Sequence, residues 1–250
     1  MGKSLTALLI GRAIALGWID LDAEDLLEEW RGSDDPRRRI SLGHLLQMSS
    51  GLDFTALWKE RFTPAEGYPD HAYMYVGAVD AERLALTRPL AAAPGSVGAY
   101  QNSDTLALAA VFKRLCRARG LRPLQAVQSL LLDPIGVQRL VLESDLYGNP
   151  LVSGHVYGTA RDWARLGRLW LQDGVWDGQR LLPAGFVDFA RTPAPAWRGQ
   201  YWLAHPPAGF NDSIYGGHVW LNRFSLEDRW PLPDDAFYML GVAGQYAFVV

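Results

Sequence analysis

The chain of 250 residues has length for one large domain or two small ones, and 49% hydrophobic with 20% charged residues is an ordinary globular composition. A net charge of −3 supplies no electrostatic footprint for nucleic acid or an anionic membrane, and no apolar run approaches the roughly 20 residues of a membrane span. The single cysteine, Cys116, excludes an intrachain disulfide and leaves the cellular compartment open; its apolar helical setting predicts a buried small hydrophobe.

The first predicted element begins at once. Leu5, Leu8, Leu9, Ala13 and Leu16 fall near helical spacing, and Gly17 suits the C-terminal cap. Ser41 is a predicted N-cap for a second helix running through His44-Leu45-Leu46 to Met48 and ending at Ser49-Ser50-Gly51. Residues 53–99 are rich in aromatics and proline and predict a long covering loop with short helices. A third helix follows Asn102, carries Leu106, Ala109, Val111, Phe112 and Leu115, and stops at Gly120. Residues 123–132 predict a fourth, closed by Asp133-Pro134. Thr159 and Asp162 form a capping box that opens a helix through Trp163, Leu166 and Leu169 to Leu171. Asp177-Gly178 marks a tight turn.

The tail has a different pattern. Gly217 to Asn222, Ala236 to Leu240 and Gln245 to Val250 are short apolar or aromatic runs between turn residues, the signature of antiparallel strands. Helices first and strands last predict an α/β fold of the α+β kind. No internal repeat or linker divides the chain. A helical pattern opens it and an apolar strand closes it, so both ends read as interior positions of a longer fold.

Candidate chemistry is narrowed by exclusion. The five histidines show no metal-binding spacing, and no Gly-x-Ser-x-Gly elbow or phosphate-binding glycine loop is present. The ten tryptophans, without a basic groove, predict core and cleft lining rather than a base-stacking platform. Asp53, Tyr68, Tyr73, Tyr75, His155 and Trp220 are candidate cleft residues, with packing the more economical reading of each. Lysine is scarce: only Lys3, Lys59 and Lys113 occur, so lysine-dependent chemistry can be checked position by position.

Three segments carry a resemblance. Pro94-Gly95-Ser96-Val97-Gly98-Ala99-Tyr100-Gln101-Asn102-Ser103-Asp104 resembles the Tyr-x-Asn motif of class C β-lactamases and their esterase and amidase relatives. By itself it reads more readily as a turn with a packed tyrosine and an N-capping asparagine. Leu45-Leu46-Gln47-Met48-Ser49-Ser50-Gly51-Leu52 resembles a second segment of that family, and Tyr157-Gly158-Thr159-Ala160-Arg161-Asp162-Trp163 resembles its Thr-Ala-Arg-Asp helix. The three occur in the family's order. With Trp176-Asp177-Gly178 and Leu181-Leu182-Pro183 the resemblance covers nearly the whole chain. It is nearest the branch that includes 6-aminohexanoate-dimer hydrolase.

That resemblance implies a β-lactamase/DD-peptidase-like domain, an antiparallel sheet flanked by helices plus a helical lobe. It implies an acyl-serine mechanism on a small ester or amide, with no metal or organic cofactor. Lys3 matches the lysine of the family's Ser-x-x-Lys, whose serine would then precede Met1. Ala56 and Ala110 occupy the position three before Lys59 and Lys113, so the sequence contains no intact Ser-x-x-Lys. The implied site comprises Lys3 and Tyr100 for proton transfer, Asn102 for substrate orientation, and main chain at Val242, Ala243 and Gly244 for the oxyanion. The third family motif, expected on a strand, resembles Tyr238-Met239-Leu240-Gly241-Val242-Ala243-Gly244-Gln245-Tyr246. Neither Lys-Thr-Gly nor its histidine variant is present there, which argues against a cationic carboxylate anchor and dedicated β-lactam recognition. The expectation is a single-domain fragment over 1–250, lacking the N-terminal strands with the serine and the C-terminal end, with an incomplete sheet. A non-catalytic binding module or truncated relative of the same fold is the alternative. Oligomeric state and compartment are left open.

Overall fold

The computed structural model describes residues 1–54, 69–197, 215–222 and 232–250. Tyr68 and Lys59 lie outside these residues. The opening helix α1 (Gly2–Ala15) is buried on nearly every side, as an almost uniformly apolar segment requires, and it runs through the main core. Two glycines allow its neighbours close. A Cβ at Gly11 would lie 2.7 Å from the Phe186 ring, and one at Gly2 would lie 2.3 Å from the Val152 carbonyl oxygen. Gly17 follows the helix at φ +69°, as a left-handed terminator should.

Ser41 caps α2 (Leu42–Leu46) by a capping box with His44. Two short helices, α3 (Asp70–Val76) and α4 (Ala81–Leu86), lie within the 53–99 segment. The long helix α5 (Asn102–Arg117) packs against α1, α2 and α4, and Cys116 on it is fully buried, its thiol pushed up to about 11 by burial. α6 (Pro123–Val127) runs on as a wider π-type turn through Gln128–Leu132, so the predicted 123–132 helix is continuous in direction but changes its hydrogen-bond period.

Residues Val141–Leu142 (β1) and Val156–Tyr157 (β2) form a two-stranded antiparallel pair. Thr159 caps α7 (Ala160–Leu171): its hydroxyl accepts from the Asp162 amide while the Asp162 carboxylate accepts from the Thr159 amide. Trp163, Leu166, Leu169 and Trp170 form the buried stripe of that helix. β3 (Val175–Trp176) and β4 (Gln179–Arg180) are joined by Asp177 and Gly178, both at positive φ, the two-residue turn that suits strand twist. α8 (Phe186–Arg191) follows.

The largest sheet among the described residues has three antiparallel strands in the order β5 (Trp220–Leu221), β6 (Phe237–Gly241) and β7 (Gln245–Val249). Tyr238 sits opposite Trp220 on one side and Phe248 on the other. The predicted strand over Gly217 to Asn222 is mostly a turn, with only Trp220–Leu221 paired in the sheet. The helices and small antiparallel sheets give the mixed fold expected. A second, aromatic core cluster of Met48, Trp197, Tyr215, Trp220 and Tyr238 sits beneath Tyr100 and borders the site.

Candidate active site

The first turn of α1 carries Lys3, which is only 6% exposed. Its Nζ donates to Asn102 Oδ1 at 2.6 Å and to the Ser153 carbonyl at 2.8 Å. The close seat of Gly2 on Val152 brings α1 within reach of that carbonyl. Both acceptors are neutral. Lys113, by contrast, meets the Glu82 carboxylate at 2.5 Å and Asn149 Oδ1 at 2.6 Å, a structural ion pair. Burial without a compensating carboxylate draws the Lys3 ammonium down to about 7, from an ordinary 10.5. A neutral amine has two N–H bonds and one lone pair. With both N–H bonds committed, the lone pair is what remains to take a proton.

Tyr100 lies directly before α5, with Lys3 Nζ 4.8 Å from its ring centroid. The ring is 5.0 Å from that of Trp220 and 5.7 Å from that of Tyr215. Burial, reinforced by the neighbouring Tyr75 hydroxyl, raises the Tyr100 phenol above its usual range, so it is a proton donor near neutral pH while Lys3 is the group that titrates. Asn102 opens α5 and is fully buried. Its Oδ1 serves Lys3, while its Nδ2 has no hydrogen-bond partner among the described residues. A buried donor without a partner costs about 1–3 kcal/mol, and an incoming acceptor would recover it.

The two separate sequence segments at 45–52 and 94–104 meet here. The buried Asp104 carboxylate accepts from the Ser50 hydroxyl at 2.7 Å, from Gln101 Nε2 at 2.7 Å and from the Ser103 hydroxyl at 3.2 Å. Main-chain bonds from Gly95 to Ser49 and from Ala99 to Met48 complete the junction, at 2.8 and 2.9 Å. Burial pushes the Asp104 acid up to about 6, with the surrounding donors opposing that rise.

The remaining predicted site residues are placed differently. Val242, Ala243 and Gly244 form the tip of the β6–β7 hairpin, and the strand expected there stops at Gly241. Val242 is 92% exposed, and Ala243 and Gly244 adopt φ of +61° and +79°. The hairpin reaches the start of α1 one step earlier: the main-chain nitrogen of Met1 donates to the Leu240 carbonyl.

Among the candidate cleft residues, Tyr75 bonds the Ser153 hydroxyl at 2.8 Å and stacks on His155, whose Nδ1 lies 2.8 Å from Glu143. Trp220 packs on Tyr100, whereas Asp53 and Tyr73 are exposed. Sequence reasoning missed Ser153, Asp104 and His218. Ser153 meets Lys3 through its main chain, which leaves no side-chain signature. His71, near Lys3, is held down to about 4 by burial and by that amine.

The match that decides the family spans everything just described: the family model for Beta-lactamase covers residues 1–250. The chain belongs to the Beta-lactamase family. A curated relative, 6-aminohexanoate-dimer hydrolase of Paenarthrobacter ureafaciens, is 24% identical over 280 aligned residues, covering 94% of this chain and 66% of the relative. A solved Bacillus anthracis structure, assigned provisionally as a 6-aminohexanoate-dimer hydrolase, superposes with a TM-score of 0.73 at 20% identity, covering 99% of this chain and 62% of that one. EstCE1, a hydrolase with promiscuous acyltransferase activity, gives a TM-score of 0.70 at 18% identity, covering 99% and 74%. These structural likenesses establish a shared fold. The chain spans a little under two thirds of the length of the first two.

Proposed function

We propose that Lys3, Tyr100 and Asn102 are the proton-transfer and substrate-orienting part of a serine acyl-transfer site acting on small esters or amides, and that residues 1–250 belong to one domain of the family. The single observation that carries this reading is the state of Lys3: buried between two neutral acceptors, with its ammonium lowered to about 7. A structural lysine gains stability from a carboxylate, as Lys113 does, whereas a lysine held neutral is a base.

In the proposed reaction a serine hydroxyl, three positions before Lys3 as in Ser-x-x-Lys, attacks the substrate carbonyl carbon. Its proton passes to the Lys3 lone pair. The tetrahedral intermediate collapses by expelling the alcohol or amine, which takes a proton relayed through Lys3 and the Tyr100 phenol. Water then attacks the acyl-serine ester, giving up a proton along the same route, and the carboxylic acid leaves with the serine restored. Asn102 Nδ2 donates to the substrate, and main-chain N–H groups at Val242 to Gly244 are assigned to the oxyanion.

The test compares the 250-residue chain with one extended upstream through a serine at the required position. Each is treated with a fluorophosphonate and with short-chain chromogenic esters and amides. The expected result is labelling and turnover in the extended chain at that serine, and neither in the 250-residue chain. Turnover by the shorter chain that is lost on replacing one of its own serines would overturn the assignment. An extended chain that binds esters without labelling or turnover would support a binding module instead.

A further inference from the structure

The turn between Tyr215 and Trp220 contains a histidine that the proposed chemistry does not use. His218 is 1% exposed and lies at φ +61°, a left-handed conformation that is uncommon for a residue with a side chain. Its Nδ1 is 2.7 Å from the Leu46 carbonyl, which can only accept, so Nδ1 carries the proton. Nε2 is then an acceptor, 3.0 Å from the Thr105 hydroxyl. Its own carbonyl accepts from the Ser4 hydroxyl at 2.6 Å.

Each partner stands beside a site residue. Ser4 adjoins Lys3 on α1. Thr105 is one turn beyond Asn102 on the same face of α5. Leu46 ends α2, and its carbonyl is one of the acceptors a helix end leaves open. Two residues on, Met48 accepts from the Ala99 amide just before Tyr100. The same turn flanks Tyr100 directly with Tyr215 and Trp220.

We propose that His218 is a positioning residue: its neutral Nδ1–H imidazole ties α2 to α5 while its main-chain carbonyl holds Ser4 on α1, and the ring bonds thereby keep Lys3 dry between Asn102 and Ser153. The proposal rests on the reading of Lys3 as the base. The ionisable groups acting on or facing the ring are Lys3 on α1 and Tyr215 in the same turn, whose ring centroid is 6.5 Å away. Burial, with a smaller contribution from Lys3, keeps the ring uncharged down to about 3.

The scarcity of lysine makes a direct test practical. With lysine ε-13C labelled, the chain gives at most three lysine signals, and Lys3 is identified by its loss in Lys3→Met. A pH titration of that signal should show a midpoint near 7 in the parent chain. His218→Phe retains bulk and the main-chain carbonyl but loses both ring bonds. Its Lys3 midpoint should rise by about one pH unit or more as water reaches the amine. Thr105→Val, nearly isosteric, should shift it less and in the same direction. An unchanged midpoint in a folded His218→Phe chain, even with a lower melting temperature, would reduce His218 to a packing residue and overturn the proposal. If that variant does not fold, an unchanged midpoint in Thr105→Val does the same. Because the readout is a protonation state rather than turnover, it is independent of whether the serine reaction occurs.

Discussion

Two parts of the proposed site are built on opposite principles. Around Lys3, α1, α2, α5, the Ser153 segment and the His218 turn converge on shared hydrogen bonds: Asn102 and Ser153 hold the amine, Asp104 ties the 45–52 and 94–104 segments together, and His218 joins three helices. At the β6–β7 tip, Val242 is almost wholly exposed and the backbone turns through two consecutive positive-φ residues. The first region offers side chains whose surroundings alter their chemistry. The second can offer only main-chain N–H groups, for which side-chain identity matters little.

That contrast can be broken most severely at the buried end. In a chain carrying the upstream serine, Lys3→Ala and Tyr100→Phe should each lower kcat by about 10²–10⁴-fold, the range for a lost proton-transfer group. A Tyr100→Phe enzyme with full turnover on several substrates would remove the phenol from the mechanism.

The next largest effect tests the hairpin. Val242→Pro deletes an N–H and should cost about 10²–10³-fold in kcat if that group faces the oxyanion. Val242→Ala keeps the N–H and should change stability by no more than about 0.5 kcal/mol, as at an ordinary surface site. Equal rates for the two variants would take the Val242 amide out of the oxyanion contact. Asn102→Ala removes the Nδ2 donor to substrate together with the Oδ1 acceptor of Lys3, and should reduce kcat/KM by at least roughly 5- to 150-fold, the equivalent of about 1–3 kcal/mol for the donor. A larger loss than Lys3→Ala would move Asn102 from orienting to central.

The pH dependence sharpens the same comparison. Turnover should rise with pH through about 7 as Lys3 loses its proton. Stability carries a parallel signature. Because the folded pKa lies below the unfolded 10.5, the unfolded chain binds more protons between about 7 and 10.5, and the Lys3 contribution to stability increases with pH over that window. Chemical denaturation of Lys3→Met should show a shallower rise than the parent across that interval, and parallel curves would mean that Lys3 is not desolvated. The smallest effect belongs to the hairpin tip. Ala243→Gly relieves a left-handed alanine and should stabilise by at most about 1 kcal/mol, measured by thermal melt. Destabilisation would show that the alanine methyl is packed in solution.

The sequence by itself determined the long helices and their caps. Apolar spacing in α1, α5 and α7, Gly17 after α1 and the Thr159–Asp162 box are local signals, because a helix end must satisfy its own backbone within a turn. The same local logic marked Asp177-Gly178 and the β6 and β7 strands. It also brought out Lys3, Tyr100 and Asn102 as a set, since the resemblance rests on side chains in a fixed order. Only the tertiary structure decided the surroundings of that set. The Lys3 amine is lowered by burial and by the neutrality of its acceptors, one of them a carbonyl 150 residues away that has no sequence signature. His218 could not be singled out among five scattered histidines, because its bonds join residues that are remote along the chain. The pairs β1–β2 and β3–β4 have two residues per strand, too few to impose an alternating pattern. The break between Leu240 and Gln245 was legible in the sequence, but the register that pairs Gly241 with Gln245 and leaves Val242 to Gly244 as the tip is defined only by the folded hairpin.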